Sequence, residues 1–269
     1  MVSTDLGACF QILAVFQMIA EAYAVHCERA AHARSDEEHS PTATLVLPQR
    51  GVFRYHVANH TTIADPNTAL LFHPDQSYHI THPNDAGDDC VALTYDRDTL
   101  ADVLGFACES TRVWTLSGAT QRLLHASALR SLSSWDVLER EEAAIATLSA
   151  LAPVPVTKRR VAHAARIEAI RERLAADVSA NDSLSTIARD AGLSPFHLAR
   201  QFRAHTGSSI HQYLLALRLA TAHARMRSGA NDLTELAVDL GFASLAHFSS
   251  TFRRAYGMSP SRAIRRQTL

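Results

Sequence analysis

Between Leu184 and Pro260 lie the side chains best suited to meeting a nucleic acid. Phe196, Ala199, Arg200 and Arg203 recur at the three- and four-residue spacing that lines up one face of a helix. An arginine in that position can hold O6 and N7 of a guanine through two hydrogen bonds or grip a phosphate, and a phenylalanine can press on a thymine methyl. A second set, Leu245, Ala246, His247, Ser249, Ser250 and Arg253, carries shorter side chains. That face suits backbone grip with one or two base contacts.

Other reactive residue types form no comparable pattern. Histidines crowd the stretch from His26 to His82, including His56, His60, His73, His79 and His82 near the ends of strand-like runs. Neutral imidazole is a common metal ligand. These histidines have no recognisable ligand spacing, so solvated or hydrogen-bonded rings are expected, with neither metal nor cofactor. Cys9, Cys27, Cys90 and Cys108 show no C-x-x-C spacing and read as buried or incidental thiols in a reducing cytoplasm. The chain also lacks G-x-x-x-x-G-K, G-x-G-x-x-G, H-E-x-x-H and G-x-S-x-G, and its single lysine, Lys158, falls in a linker. No enzyme is expected.

The nucleic-acid side chains belong to one pattern written twice. Ile187-Ala188 repeats as Leu236-Ala237, Gly192 as Gly241, Leu198 and Phe202 as Phe248 and Phe252, and Gly207 as Gly257. Each copy places a short helix, a glycine turn, a serine cap and a second helix in order, which describes a helix-turn-helix. The first unit spans about 184–207 and the second about 233–257, with one extra residue in the second turn. Ser183, Ser194 and Ser244 are expected N-caps, and Pro195 occupies a first helical position that tolerates a missing N–H. Ser209–Arg227 between the units has the length of a helix of about five turns.

Charge separates this region from the rest. Lys158 to Leu269 holds 17 Lys+Arg against 8 Asp+Glu, net +9, whereas residues 1–157 hold 9 against 19, net −10. A basic half that carries the doubled pattern points to double-stranded DNA, because phosphate neutralisation supplies most non-specific affinity. The overall net charge of −1 conceals this division.

A chain of 269 residues has room for two domains. The apolar run from Ala8 to Ala24 is broken by Gln11, Gln17 and Glu21 and lacks a positive leader, so neither a membrane span nor a secretory signal is expected. Phe10, Leu13, Ala14, Met18 and Ala20 loosely fit a helix. From Thr44 to Tyr95, six short β-type runs alternate with Pro, Gly, Asn and Asp, which argues for an antiparallel sandwich or small barrel. Such a barrel can hold one small ligand. Helical spacing returns at Arg97–Leu104 and again over about 118–151, where a hairpin could equally form a dimer face or cap the barrel's own core. Ala152-Pro-Val-Pro-Val-Thr-Lys-Arg-Arg160 then reads as a linker.

From Ile167 to Arg266 the chain resembles the AraC/XylS family of transcription regulators. The match is strongest over Gly241-Phe-Ala-Ser-Leu-Ala-His-Phe-Ser-Ser-Thr-Phe-Arg-Arg-Ala-Tyr-Gly-Met-Ser-Pro260 and extends to Tyr213 and Arg218-Leu219. The resemblance implies that both helix-turn-helix units enter successive major-groove segments. Base contacts would then carry over to Phe196, Ala199 and Arg200, and to Leu245, Ala246, His247, Ser249 and Ser250. Two positions depart from the family pattern: Ser250 stands where arginine is frequent, and Ala263 where an aromatic is usual.

The resemblance also implies an amino-terminal cupin-like sensor. The expected architecture is α+β in two domains: residues 1–151 as a cupin-like antiparallel β-barrel plus helical hairpin, 152–160 as linker, and 161–269 as an all-α double helix-turn-helix joined by a linker helix. Phe53, Tyr55, Phe72, His73, Tyr78 and His79 are the candidate ligand-binding residues. Expected partners are promoter DNA, a small-molecule effector, RNA polymerase and a second copy of the chain, with activation as the regulatory sense. The alternative is a cupin-type metalloenzyme, or a thiol or alkylation sensor, fused to a DNA-binding module.

Overall fold

The computed structural model describes residues 20–28, 31–58, 60–105, 110–134, 136–152, 154 and 164–267. The helix expected over Phe10–Ala20 falls outside them except for Ala20, and so does most of the linker at 152–160. The chain divides into two compact units, Met1–Leu116 with Leu123–Lys158 and Ser117–Arg122 with Arg159–Leu269.

The first unit contains strands β1 (Ala20–Cys27), β2 (Ala43–Gly51), β3 (Phe53–Val57), β4 (His60–Ala64), β5 (Thr68–Phe72), β6 (His79–Thr81), β7 (Asp88–Tyr95) and β8 (Arg112–Thr115). Helix α1 (Arg97–Leu104) lies between β7 and β8, and α2 (Gly118–Ser133) and α3 (Val137–Ser149) follow. Strands β1 and β8 fall outside the six expected runs. All strand pairs are antiparallel, in a five-stranded sheet ordered β1-β7-β2-β5-β8 and a three-stranded sheet ordered β4-β3-β6.

Alternation along the strands builds two cores, since successive side chains point to opposite faces. Leu45, Leu47, Leu71, Val91 and Leu93 face Leu100 of α1, Leu124 and Ala128 of α2, and Ala144 and Leu148 of α3. Their neighbours Val46, Leu70, Phe72, Cys90 and Ala92 face Phe53, Tyr55 and Ile80 of the smaller sheet. The larger sheet is therefore covered on both sides, which explains why Ala43–Leu47 is buried without interruption.

This arrangement corrects one part of the expected architecture, closure of the strands into a barrel. Among the described residues β1 and β8 end the five-stranded sheet and the other three strands form a separate sheet, so no closed barrel exists. Strand spacing gives the number of strands and turns. Closure depends on which edges pair, and edge pairing is a long-range choice.

The second unit is helical: α4 (Ala164–Ala176), α5 (Leu184–Asp190), α6 (Pro195–Thr206), α7 (Ile210–Arg227), α8 (Leu233–Asp239), α9 (Leu245–Tyr256) and α10 (Pro260–Gln267). Leu219, Met226, Leu236, Phe242, Phe248 and Phe252 form its carboxy-terminal core, and Ala263 is buried among them. No described helix is long and apolar enough to cross a membrane.

Candidate nucleic-acid interface

Each helix pair of the repeat is set up by local bonds. The Thr186 N–H donates to Ser183 Oγ at 3.1 Å and starts α5. Gly192 then takes the left-handed conformation, φ +64°. The His197 N–H donates to Ser194 Oγ at 3.3 Å, with Pro195 at the start of α6. In the second unit the Thr234 and Glu235 N–H groups donate to Asp232 at 2.8 and 2.9 Å, a cap not among the three expected from the sequence. The His247 N–H donates to Ser244 Oγ at 3.1 Å and opens α9.

Packing decides which faces remain outside. Leu198 and Phe202 on α6 are fully buried, as are Phe248 and Phe252 on α9. Phe252 lies 4.4 Å from Tyr256 and 5.7 Å from Phe248, ring centre to ring centre. On α6 that leaves Phe196 77% exposed, beside exposed Ala199, Arg200 and Arg203. On α9, Leu245, Ala246, His247, Ser250 and Arg253 are exposed and Ser249 is half-buried. The Ser250 hydroxyl donates to the His247 carbonyl at 3.0 Å, so it is turned back onto its own helix.

Helix α7 joins the two units. Its N-terminus has a reciprocal cap, with the Gln212 N–H on Ser209 Oγ at 3.2 Å and the Ser209 N–H on Gln212 Oε1 at 3.1 Å. Arg171 of α4 bonds Tyr213 of α7, and its Nη1 reaches Glu168 at 2.9 and 3.0 Å. His205 of α6 also contacts the Glu168 carboxylate. Burial alone would raise Glu168, but Arg171 and His205 outweigh it and hold the carboxyl below its usual value.

The first unit offers a cavity of about 40 Å³ between its two sheets, room for a few water molecules. Of the six candidate ligand residues, Phe53, Phe72 and Tyr78 line it, and Tyr55, His73 and His79 do not. Tyr55 stacks behind, 4.5 Å from Phe72. His79 Nδ1 instead meets the Ser35 carbonyl at 3.1 Å. Tyr23 and Asp88 line the cavity from outside the expected six; Tyr23 belongs to the unexpected strand β1.

Cys27 and Asp88, which line the cavity, and His82 are buried, with one potential ligand atom each within 4.8 Å of the others. His82 Nε2 meets Asp88 Oδ1 at 2.5 Å, and the Cys90 thiol donates to Asp88 Oδ2 at 3.0 Å. Cys27 is disulfide-bonded, which corrects the expectation of thiols throughout and removes its thiolate from such a set. Sequence spacing does not reveal which cysteines folding brings together. Cys90 is free and buried, and its thiol is raised well above the usual value by burial and by Asp88. A protonated, enclosed sulfur is a poor nucleophile.

Comparison with known proteins bears on the helical unit. A family model described as a helix-turn-helix domain matches residues 187–266. The HTH-type transcriptional activator RhaS of Escherichia fergusonii is 41% identical over 78 residues, 29% of this chain and only 28% of RhaS. The regulatory protein SoxS of Salmonella typhimurium is 32% identical over 79 residues, 29% of this chain and 74% of SoxS. ToxT from Vibrio cholerae O395 aligns over 93% of this chain and 98% of ToxT, at 12% identity and a TM-score of 0.38, a level at which the likeness carries no inference. With most of SoxS matched across the doubled helix-turn-helix, the chain belongs to the AraC/XylS family of DNA-binding transcriptional regulators.

Proposed function

We propose that the protein is a sequence-specific transcription regulator whose α6 and α9 enter successive major-groove segments of one DNA duplex. The carrying observation is the pair of capped helices whose aromatic faces are buried and whose opposite faces present Phe196, Ala199, Arg200 and Arg203, and Leu245, Ala246, His247, Ser249, Ser250 and Arg253. Unit one would supply most base readout, through Arg200 and Phe196. Unit two, with small side chains and Ser250 engaged by its own helix, would mainly supply grip.

Residues 161–269 would form the DNA-binding domain and residues 1–151 a sensor and dimerisation domain, joined by 152–160. The cavity lined by Phe53, Phe72 and Tyr78 would be the effector site, for a ligand no larger than a few water molecules unless the two sheets part. Leu123, Val137, Leu138 and Ile145, exposed on α2 and α3, suit contact with a second copy. RhaS is named as an activator, which favours activation through RNA polymerase here. The acidic first half would stay off the DNA.

Selection of bound duplexes by the full chain tests this reading. A defined motif should emerge, with affinity falling steeply as salt rises. Arg200→Ala should cost about 1–3 kcal/mol and relax one base preference. Recovery of no preferred sequence, or salt-independent binding, would refute the proposal.

A further inference from the structure

Arg218, in the middle of α7, is only 8% exposed. Its guanidinium is met by neutral acceptors. Nε donates to the Val178 carbonyl at 2.7 Å and Nη1 to the Gly241 carbonyl at 2.9 Å. Nη2 reaches the Ala180 carbonyl and Asn181 Oδ1, each at 3.0 Å, and the Ser179 carbonyl at 3.4 Å. A buried cation needs its lost hydration replaced, and the rigid planar fork of arginine fixes where the replacing oxygens must be.

Those oxygens come from the loop that leads into the first copy of the repeat and from the turn of the second. Val178–Asn181 is the connection running from α4 into α5 of the first unit. Arg173 ties that connection to α5, pairing with Asp182 at 2.5 Å and Asp190 at 2.9 Å. Asp177 shapes it further by accepting from the Ser179 and Ala180 N–H groups at 3.0 and 3.2 Å. Gly241 is the turn between α8 and α9 of the second unit. The two segments touch: a Cβ on Gly241, φ +72°, would come within 2.4 Å of the Ser179 carbonyl and 2.7 Å of Arg218 Nη2. Only glycine allows the turn to rest there.

A linker helix packed at its two ends still leaves a soft joint at each. Arg218 closes that freedom from the middle, because one planar group holds the leading loop of unit one and the turn of unit two at once. We propose that Arg218 is the positioning residue that sets the separation and rotation of α6 and α9, and hence the base-pair spacing between the two half-sites the protein accepts. The inference rests on the reading that both helices bind one duplex.

The test uses the full chain and a duplex recovered by selection from a random library. One base pair is inserted or deleted between the two halves, which shifts them by about 3.4 Å and rotates them by about 35°. Wild type should lose about 10-fold or more in affinity, as for a mismatched base pair. Arg218→Lys and Arg218→Gln should bind the selected site more weakly, yet shrink the spacing penalty to about 3-fold or less and leave binding to a single half-site unchanged. Asn181→Ala removes one acceptor and keeps the cation, so it should reduce the penalty by a smaller factor; it carries the test if the Arg218 variants fail to fold. An unchanged penalty in all variants, or equal losses on half-site and full site, would overturn the proposal. A wild-type motif with one half only would instead overturn the two-unit reading beneath it.

Discussion

The Nε–H of Arg171 on α4 donates to the hydroxyl of Tyr213 on α7 at 2.8 Å, with both residues buried. The same tyrosine ring meets Phe202 of α6 edge-on, 5.3 Å between centres. One side chain therefore joins three helices, by a polar bond at its tip and an apolar contact along its edge. Tyr213→Phe keeps the ring and deletes the acceptor. The variant should lose about 1–3 kcal/mol of stability, the cost of a buried donor deprived of a partner. Urea titration of the full chain checks this, and an unshifted midpoint would mean the bond contributes nothing.

Phe196 and Phe252 are the same residue type in opposite settings, 77% and 0% exposed. Phe252→Ala should cost about 3–5 kcal/mol, because it opens a cavity among Phe248, Tyr256 and Leu236. Phe196→Ala should change stability by no more than about 0.5 kcal/mol while weakening DNA binding. Paired denaturation and binding measurements separate the two; destabilisation by Phe196→Ala would contradict the exposed face.

His223 stacks on Tyr256, 5.4 Å apart and 18° from parallel. Burial, with Arg227 adding to it, pushes the imidazole down to about 4. Its unfolded value is about 6.5, so between those limits the unfolded chain binds more protons than the native one. Stability from this residue is full above about pH 6.5 and is lost as pH falls toward about 4. His223→Phe retains the stack without the titration. Melting temperature against pH should be flatter for the variant across that window, and parallel curves would rule the assignment out.

Cys90 is enclosed between the two sheets, its thiol donating to Asp88. Iodoacetamide should leave it unmodified in the native protein and label it fully once the chain is unfolded. Rapid native labelling, followed by peptide mass, would revive an alkylation sensor.

The parts legible in the sequence are those decided locally. Ser183, Ser194, Ser244 and Gly241 act within a turn of their own positions, and the helices they bound begin and end as their types require. Strand β1 is hidden in the sequence because its alanines and neighbouring apolar residues suit a helix, while its partner β7 lies more than sixty residues along the chain. Separation into two sheets is hidden for the same reason. Tyr55, His73 and His79 have the right types for a ligand but lie off the cavity: Tyr55 stacks on Phe72, His73 follows the end of β5, and His79 alternates along β6 with Ile80, which lines the cavity. Arg218 is a plain surface cation by type, and the loop at 178–181, some forty residues earlier, together with the turn at Gly241 makes it an interior one.

On the proposed reading, the exposed faces of α6 and α9 would also differ thermodynamically. The ring of Phe196 is hydrated in the free protein, and drying it against DNA would give association through α6 a negative heat-capacity change. Contacts from Arg253 and its neighbours on α9 would respond chiefly to counterion release. Temperature would then tune one half of the footprint and ionic strength the other, so calorimetry across both variables could tell which half is engaged.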